Sequence, residues 1–327
     1  MKRILLPLLA MSFGMTAAQA KLNVVATTPD LAAIVRSIGG DQVDLTTLGK
    51  PAEDPHFVDA KPSFIVKLNH ADVLVDGGAD LEVGWLPALL EGARNPKLEP
   101  GKPGRVACSE GIALLEVPSS LDRSKGDVHA AGNPHYLTDP MNAKIVAQHI
   151  GTALSALDTA HAAVFQSNVK RFNDSIDAKF AEWQRVLAQY KGTTVVAYHN
   201  FWPYFAKRFE LNMDLFLEPK PGIPPTPAHL ADVIGRVKAD HLKVIIVQPY
   251  QNRRTAEAVA QHTEAKIVDF PSFPSGDQTY EMWMDGLVKA LAAALGRSAL
   301  EVAGPAGCGG SPAPVGSVGR GVGWSVR

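Results

Sequence analysis

The sequence predicts an α/β protein of two lobes, in which parallel sheets are flanked by helices and one long helix bridges the lobes. Short β-branched runs alternate with helical patterns in both halves of the chain, which is typical of parallel sheets. A long series of apolar residues at helical spacing separates the halves. The chain has 327 residues and 46% hydrophobic content, which is enough for two packed domains.

The predicted strands fall into two groups. The first half contains the runs LNVVATT, VDLTTL, DVLVDGG and GRVAC, together with the helical pattern DLAAIVRSI. The second half contains TTVVAYH, NMDLFL, KVIIVQP and AKIVDF, together with the helical pattern HLADVIGRVKA. Because strands and helices alternate in each half, each half is expected to form its own parallel sheet.

The middle of the chain predicts the bridging helix. A helix start is expected near Asp158, and Gly192 is the expected stop. Between them, apolar side chains recur at steps of three and four: Phe165, Val169, Phe172, Ile176, Phe180, Trp183, Leu187 and Tyr190. At about 1.5 Å per residue, a helix of about thirty residues reaches roughly 45 Å, which is long enough to run the length of a two-lobed protein.

The lobes lie on either side of this helix. We predict an N-terminal α/β lobe over 21–158, the bridging helix over 159–191 and a C-terminal α/β lobe over 192–300. A further helix is predicted to begin at Asp139-Pro140, because a capping residue there precedes a proline at the first helical position.

The N-terminus has the organisation of a secretory signal peptide. A basic start precedes a short apolar run, and Ala18-Gln19-Ala20 fits a small-residue cleavage site. The apolar run is too short to span a membrane. We therefore expect a signal peptide over 1–20, cleavage after Ala20 and a periplasmic protein.

The last stretch, 301–327, has the Gly/Pro/Ser bias of a low-complexity tail. Cys308 lies within this tail, and Cys108 ends the strand-like run GRVAC. Export permits a disulfide between them, although sequence spacing alone does not decide whether they pair.

The formal net charge of the chain is −1. Surfaces that bind nucleic acid or anionic membranes need an excess of basic residues. The charge therefore argues against a nucleic-acid partner.

Four residues are candidate metal ligands. His199 follows one predicted strand and Asp269 ends another, where parallel sheets bind ligands. His56 lies in a loop soon after VDLTTL, and His135 lies in the loop that ends at Asp139. Each lobe thus offers two candidates that can face one cleft. Three imidazoles and a carboxylate complete a tetrahedral shell for an ion such as Zn²⁺.

Each of these positions also has an ordinary interpretation. A single loop histidine is more often a solvated residue than a ligand. Asp269 could cap a turn before Pro271, and the same segment offers Asp277 as an alternative ligand. His129 lies in a polar, Gly-containing stretch, where it is either a solvated residue or a transient ligand, together with Asp127, near the cleft mouth.

Several motifs together resemble those of a known family. They are VVATTPDLAAIVRSIGGD, EDPHFVDAKPS, NHADVLVDGGADLEVGW, NPHYLTDPMNAKIVAQHI, VVAYHNFWPYFAKRF and KPGIPPTPAHLADVI. From residue 21 to about Gly296, the chain resembles the periplasmic zinc- and manganese-binding proteins of ABC transporters, the cluster A-I solute receptors. The resemblance implies two α/β lobes bridged by one long helix.

The resemblance also implies a function and a ligand set. Position by position, the family's metal ligands fall on His56, His135, His199 and Asp269. A histidine at position 199 resembles the zinc branch of the family, since manganese receptors have a carboxylate there. The chain is thus expected to be a monomeric receptor that captures Zn²⁺, with Mn²⁺ less favoured, and delivers it to an ABC permease in the inner membrane.

The chain departs from the family pattern at three places. Asn133 replaces the usual Asp, Gln248-Pro249 stands where many relatives have Glu-Pro, and a long His-rich loop is almost absent. The last departure argues against close identity with the zinc receptors that carry such a loop.

Three other functions stay open at this point. One is a manganese or iron receptor of the same family. Another is a zinc hydrolase with three histidine ligands and an open position for water, for which Glu53 is the candidate base. The third is a receptor for a siderophore or corrinoid, held by aromatic residues such as Trp85 and Trp202.

Overall fold

The computed structural model of the protein describes residues 20–119 and 129–296. The predicted signal peptide up to residue 19, Asp127, Cys308 and the tail over 301–327 lie outside the described residues. In the described part of the chain, no helix combines the length and the hydrophobicity needed to cross a membrane.

The N-terminal lobe is built on a four-stranded parallel sheet with the strand order β2-β1-β3-β4. Its strands are β1 (Leu22–Ala26), β2 (Val43–Thr47), β3 (Val73–Asp76) and β4 (Arg105–Ala107). The side chains alternate between the two faces, so Val24 and Ala26 pack on one side of the sheet and Val25 on the other. Both faces are therefore buried, as parallel sheets require.

The described residues of this lobe form four α-helices: α1 (Pro29–Gly39), α2 (Pro62–His70), α3 (Leu86–Ala93) and α4 (Pro140–Leu157). The first and last pack on the face of Val24, and the other two pack on the face of Val25. The predicted start of α4 is confirmed. Asp139 caps it by accepting the backbone N–H of Met141, and Pro140 occupies the first turn.

The bridging helix is α5, which runs over Ala162–Leu187 and has 26 residues. It buries most of the apolar series that predicts it, including Phe165, Ile176 and Trp183. A single 3-10 turn continues it to Tyr190, and Gly192 then adopts a φ of 75°. Glycine tolerates this left-handed conformation, which turns the chain away from the helix axis.

The C-terminal lobe contains a three-stranded parallel sheet with the order β5-β6-β7. Its strands are β5 (Val196–Ala197), β6 (Val244–Val247) and β7 (Lys266–Asp269), and its helices are α6 (Pro203–Phe209), α7 (Pro227–Ala239), α8 (Arg253–Gln261) and α9 (Tyr280–Gly296). The run NMDLFL was expected to be a strand. It forms only isolated parallel bridges beside β5, Thr194 with Asn212 and Ala197 with Phe216.

The two lobes share one hydrophobic core. A single cluster contains Val24 and Ala26 of β1, Ala197 of β5 and Ile246 of β6, together with buried residues of α1, α4, α5 and α9. Two smaller clusters cover the outer faces of the two sheets. The lobes are therefore joined by packed apolar side chains as well as by α5.

Candidate metal centre

Three of the four predicted ligands meet between the lobes. One ligand atom from each of His56, His135 and His199 lies within 4.8 Å of the others. The ring centroids are 5.1 Å apart for the first pair, 5.8 Å for His56 and His199, and 5.8 Å for His135 and His199. Nitrogens around a tetrahedral zinc ion are about 3.4 Å apart, given bonds of about 2.0–2.1 Å. Small side-chain movements therefore suffice for all three imidazoles to share one ion.

His56 is held by its own loop. Asp54 Oδ1 accepts two hydrogen bonds from it, one from the backbone N–H at 3.0 Å and one from ring Nδ1 at 2.7 Å. The loop is fixed from outside as well, because Trp85 Nε1 donates to the carbonyl of Pro55 at 2.9 Å. Asp-Pro-His is thus a short unit in which the first residue orients the third.

His135 is the most deeply buried of these three predicted ligands, with 5% of its surface exposed. Its backbone N–H donates to Asn133 Oδ1, and its carbonyl accepts from the hydroxyl of Thr138. Its ring stacks on Phe201 with centroids 3.9 Å apart. The turn before α4 and this stack therefore fix both the backbone and the ring of His135.

His199 follows β5 after one intervening residue. The segment that runs beside β5 brings Glu218 next to it, because the backbone N–H of Glu218 donates to the carbonyl of Tyr198. His199 Nδ1 lies 2.7 Å from Glu218 Oε2. The isolated bridges found in place of a predicted strand thus deliver an orienting carboxylate to the site.

Two of the three imidazoles therefore share one arrangement. In both His56 and His199, a carboxylate accepts the Nδ1 proton and leaves the Nε2 lone pair for a metal ion. Such outer carboxylates fix the tautomer and make the ligand nitrogen more basic. A metal site that is oriented before the ion arrives would need this arrangement.

The electrostatics of the site favour a neutral His135 and an ionised Asp54. Burial lowers the pKa of His135 well below its usual value, and the neighbouring imidazoles of His56, His199 and His129 act in the same direction. Burial opposes the ionisation of Asp54, but the hydrogen bond and charge of His56 outweigh it and lower the pKa of that carboxyl. A neutral imidazole keeps the lone pair that coordination needs.

The structure does not bring the fourth predicted ligand to the histidines. Asp269 ends β7, its side chain is 75% exposed, and it forms an ion pair with Arg253. The alternative, Asp277, is also exposed and lies in the loop before α9. The assembled cluster therefore offers three nitrogens that could hold a metal ion, and a carboxylate from either position would have to move to join them.

His129 lies beside the cluster. Its ring stacks on that of His56 with centroids 5.2 Å apart. It also lines a cleft of ≈ 230 Å³ together with Glu116, Asn133, His135 and His199. An imidazole at this place is positioned to meet an ion that enters through the cleft.

Residues that support the other functions are engaged elsewhere. Glu53, the candidate base, accepts the backbone N–H of Lys50 within its own turn. Trp85 and Trp202 are buried in the hydrophobic clusters, at 4% and 1% exposure. An aromatic wall for an organic ligand would need these rings at the cleft surface.

Sequence reasoning missed several residues at the site. Asp54 precedes His56 by two residues, so the Asp-Pro-His spacing could have revealed it. Glu218, Glu116 and Asn200 carry no such local signal, since their contacts join segments that are far apart in the chain. Cys108 is buried and has no disulfide partner among the described residues. Cys308 lies outside them, so the structure does not test whether the two cysteines pair.

The chain matches one family model over residues 24–294, described as zinc-uptake complex component A, periplasmic (ZnuA). Curated relatives include the manganese ABC transporter substrate-binding lipoprotein PsaA of Streptococcus mitis. It is 26% identical over 254 residues, which is 76% of this chain and 78% of the relative. The iron ABC transporter substrate-binding lipoprotein MtsA of Streptococcus pyogenes serotype M1 is 25% identical over 258 residues, covering 77% and 80%.

Solved structures share the fold. A crystal structure of ZnuA superimposes with a TM-score of 0.73 at 21% identity and covers 84% of this chain and 99% of its own. The laminin-binding protein Lmb of Streptococcus agalactiae, described as an adhesin with metal-transporting activity, gives 0.70 at 24% identity with the same coverage. The fold predicted from the sequence, two lobes of parallel sheets flanked by helices, is confirmed.

Proposed function

The chain belongs to the family of periplasmic zinc-uptake complex component A, and from this premise we propose that it is a receptor that binds Zn²⁺ between its lobes. Members of this family are extracytoplasmic solute-binding receptors of metal ABC transporters and are not enzymes. They work with a membrane permease and its ATPase. What the family leaves open is which metal this chain carries and which residues hold it.

The convergence of three oriented imidazoles is the observation that carries the proposal. His56, His135 and His199 each offer one nitrogen to the same small space. Imidazole nitrogen suits zinc, whereas manganese favours oxygen ligands. The relatives named for manganese and iron show that the fold itself serves several metals. The preference for zinc therefore rests on the ligand chemistry of this chain.

We propose Asp269 as the fourth ligand of the metal-bound form. Its ion pair with Arg253 joins two side chains that are 75% and 48% exposed. Exposed ion pairs contribute only about 0–1 kcal/mol to stability, so coordination of Asp269 to a divalent cation can replace its pair with Arg253. Asp269 also ends β7, whose backbone is fixed by its pairing with β6. Asp277 has no strand to fix it, which makes it the weaker candidate.

Delivery to a transporter completes the proposal. The signal peptide expected from the sequence would place the protein in the periplasm, where it would act as a monomer and pass Zn²⁺ to an inner-membrane permease. Four protein ligands would close the coordination shell and leave no position for a catalytic water. This agrees with a carrier rather than a hydrolase.

Zinc titration of single alanine variants tests the proposal. Replacing His56, His135 or His199 should weaken zinc binding by more than the roughly 10- to 100-fold typical of changes outside the ligand set. His262→Ala, on the exposed surface of the C-terminal lobe, is the matched control and should bind like the wild type. Parallel titration with Mn²⁺ should give weaker binding. Unchanged zinc affinity in His199→Ala, or tighter binding of manganese, would refute the proposal.

A further inference from the structure

A small polar network links the two loops that carry His135 and His199. Glu116 Oε2 accepts hydrogen bonds from Asn133 Nδ2 at 3.0 Å and from Asn200 Nδ2 at 2.8 Å. Asn133 Nδ2 also donates to the carbonyl of Asn200 at 3.1 Å. We call these three residues, Glu116, Asn133 and Asn200, the interlobe clasp.

Asn133 and Asn200 are each connected directly to a predicted metal ligand, and Glu116 is hydrogen-bonded to both of them. Asn133 Oδ1 accepts the backbone N–H of His135, and Asn200 directly follows His199. Asn133 is 8% exposed, so its amide is held in one orientation by these partners. A shift of Glu116 would therefore be passed to both histidine loops.

Tyr204 of α6 reinforces the clasp from the C-terminal lobe. Its hydroxyl donates to the carbonyl of Asn133 at 2.6 Å and accepts the backbone N–H of Leu115 at 2.8 Å. The backbone N–H of Asn133 donates in turn to the carbonyl of Leu115 at 2.8 Å. Three chain segments that are distant in sequence thus meet at one place beside the cleft.

The local backbone is shaped for this meeting. Gly132 has a φ of 113°, and a Cβ built there would lie 2.7 Å from the carbonyl oxygen of Leu115. Glu116 itself has a φ of 55°, a backbone angle that residues other than glycine rarely adopt. Such a conformation is strained and persists where the surrounding contacts hold it. The clasp supplies those contacts.

We propose that Glu116 is a positioning residue that holds the loops of His135 and His199 at metal-binding separation and so slows the release of the ion. The inference rests on the proposed metal site. The loops of His135 and His199 both line the cleft, and separating them would move these two imidazoles apart and open the coordination shell. Two clasp bonds cross between the lobes, from Asn200 Nδ2 to Glu116 and from Asn133 Nδ2 to the carbonyl of Asn200, so they have to break when the loops separate.

A rival role for Glu116 makes a different prediction. The carboxylate also lines the cleft, so its charge alone could attract the incoming cation. Substitution by Gln separates the two roles, since Gln keeps a side-chain oxygen that can accept both Asn amides but carries no charge. Ala removes both the acceptor and the charge. Both replacements keep a Cβ at a position where φ is 55°, so neither gains the freedom that glycine would have there.

The test measures zinc release from the loaded, full-length mature protein into excess chelator. Glu116→Ala should release zinc about three- to tenfold faster, the range expected for loss of hydrogen bonds of ordinary strength. Glu116→Gln should stay within about twofold of the wild type. Asn200→Ala should accelerate release to a similar extent, and adding Glu116→Ala to it should have little further effect. Glu91→Ala, an exposed glutamate of α3, is the control.

Two results would overturn the inference. Equal acceleration by Gln and Ala would assign Glu116 an electrostatic role, and wild-type release from Glu116→Ala would assign it none. If Glu116→Ala fails to fold, the rate of Asn200→Ala decides in its place. His135→Ala separates this test from the proposed function. If His135→Ala loses zinc binding and the clasp variants release zinc at the wild-type rate, the clasp alone is rejected. If His135→Ala still binds zinc like the wild type, the metal site itself is rejected.

Discussion

Replacing Glu218 by Gln should weaken zinc binding although it removes no ligand. Glu218 Oε2 accepts the Nδ1 proton of His199 at 2.7 Å, and its side chain is 16% exposed. Gln can still accept this hydrogen bond through its amide oxygen, but without a charge. Its amide nitrogen can also turn toward the ring, which would favour the tautomer that carries the proton on Nε2. That tautomer has no lone pair on the nitrogen that faces the metal.

The magnitude follows from the type of hydrogen bond. A bond to a charged partner contributes about 1.5–3 kcal/mol, and a neutral one contributes about 0.5–1.5 kcal/mol. Loss of the charge therefore costs about 1–1.5 kcal/mol in the metal-bound state, or about five- to twelvefold in affinity. Competition from the wrong tautomer adds to this loss. We expect a total within the roughly 10- to 100-fold range that outer-shell substitutions produce.

A competition titration against a chromophoric zinc chelator near neutral pH measures the effect. Glu264→Gln is the matched control, since Glu264 lies in the same lobe, pairs with Lys243 and has a side chain that is 82% exposed. The control should bind zinc like the wild type. If Glu218→Gln also binds like the wild type, while His199→Ala loses zinc, the carboxylate does not orient the ligand and the reasoning fails.

Three further predictions follow from the same structure. Asp269→Ala should weaken zinc binding more than Asp277→Ala in the same titration, and the opposite order would transfer the fourth ligand to Asp277. His129→Ala should slow zinc association in stopped-flow measurements while the equilibrium affinity stays nearly constant, because its ring lies at the cleft beside His56; a collapse of affinity would make His129 a ligand. Burial, and then the charge of Asp76, raises the pKa of Glu82 to about 8. The folded state keeps the Glu82 proton up to a higher pH than the unfolded state does. The contribution of Glu82 to the free energy of unfolding is therefore complete below pH about 4.5 and is lost as the pH rises toward 8. Glu82→Gln should remove this loss, so its stability relative to the wild type should rise between pH 5 and pH 8 by an amount on the order of a few kcal/mol in urea unfolding; an equal difference at both pH values would contradict the assignment.

Glu82 illustrates why the Gln variant is suitable for that measurement. Its Oε1 accepts hydrogen bonds from the Thr27 hydroxyl at 2.6 Å and from the backbone N–H of Gly77 at 2.7 Å. The amide oxygen of Gln can accept both. The substitution therefore removes the ionisation of a buried group and keeps its hydrogen bonds.

The sequence by itself determined the class of the fold and the positions of its main elements. Parallel strands buried on both faces need β-branched runs, and the bridging helix needs an apolar stripe with a period near 3.6 residues. These are local requirements, so they are visible in the residues of each segment. The start of α4 at Asp139-Pro140 is also local, because a cap and its helix lie within three residues of one another.

The tertiary structure alone decided how the site is built. Glu218 reaches His199 across 19 positions, and Glu116 reaches Asn200 across 84. Asp269 instead forms an ion pair with Arg253 and lies apart from the histidines. The run over 212–217 forms isolated bridges beside β5 and no strand. Such contacts depend on how two lobes pack around a shared core, where the partner of a side chain is set by the distance between remote segments. Local periodicity fixes which face of a helix or strand is buried, but it holds no information about that distance.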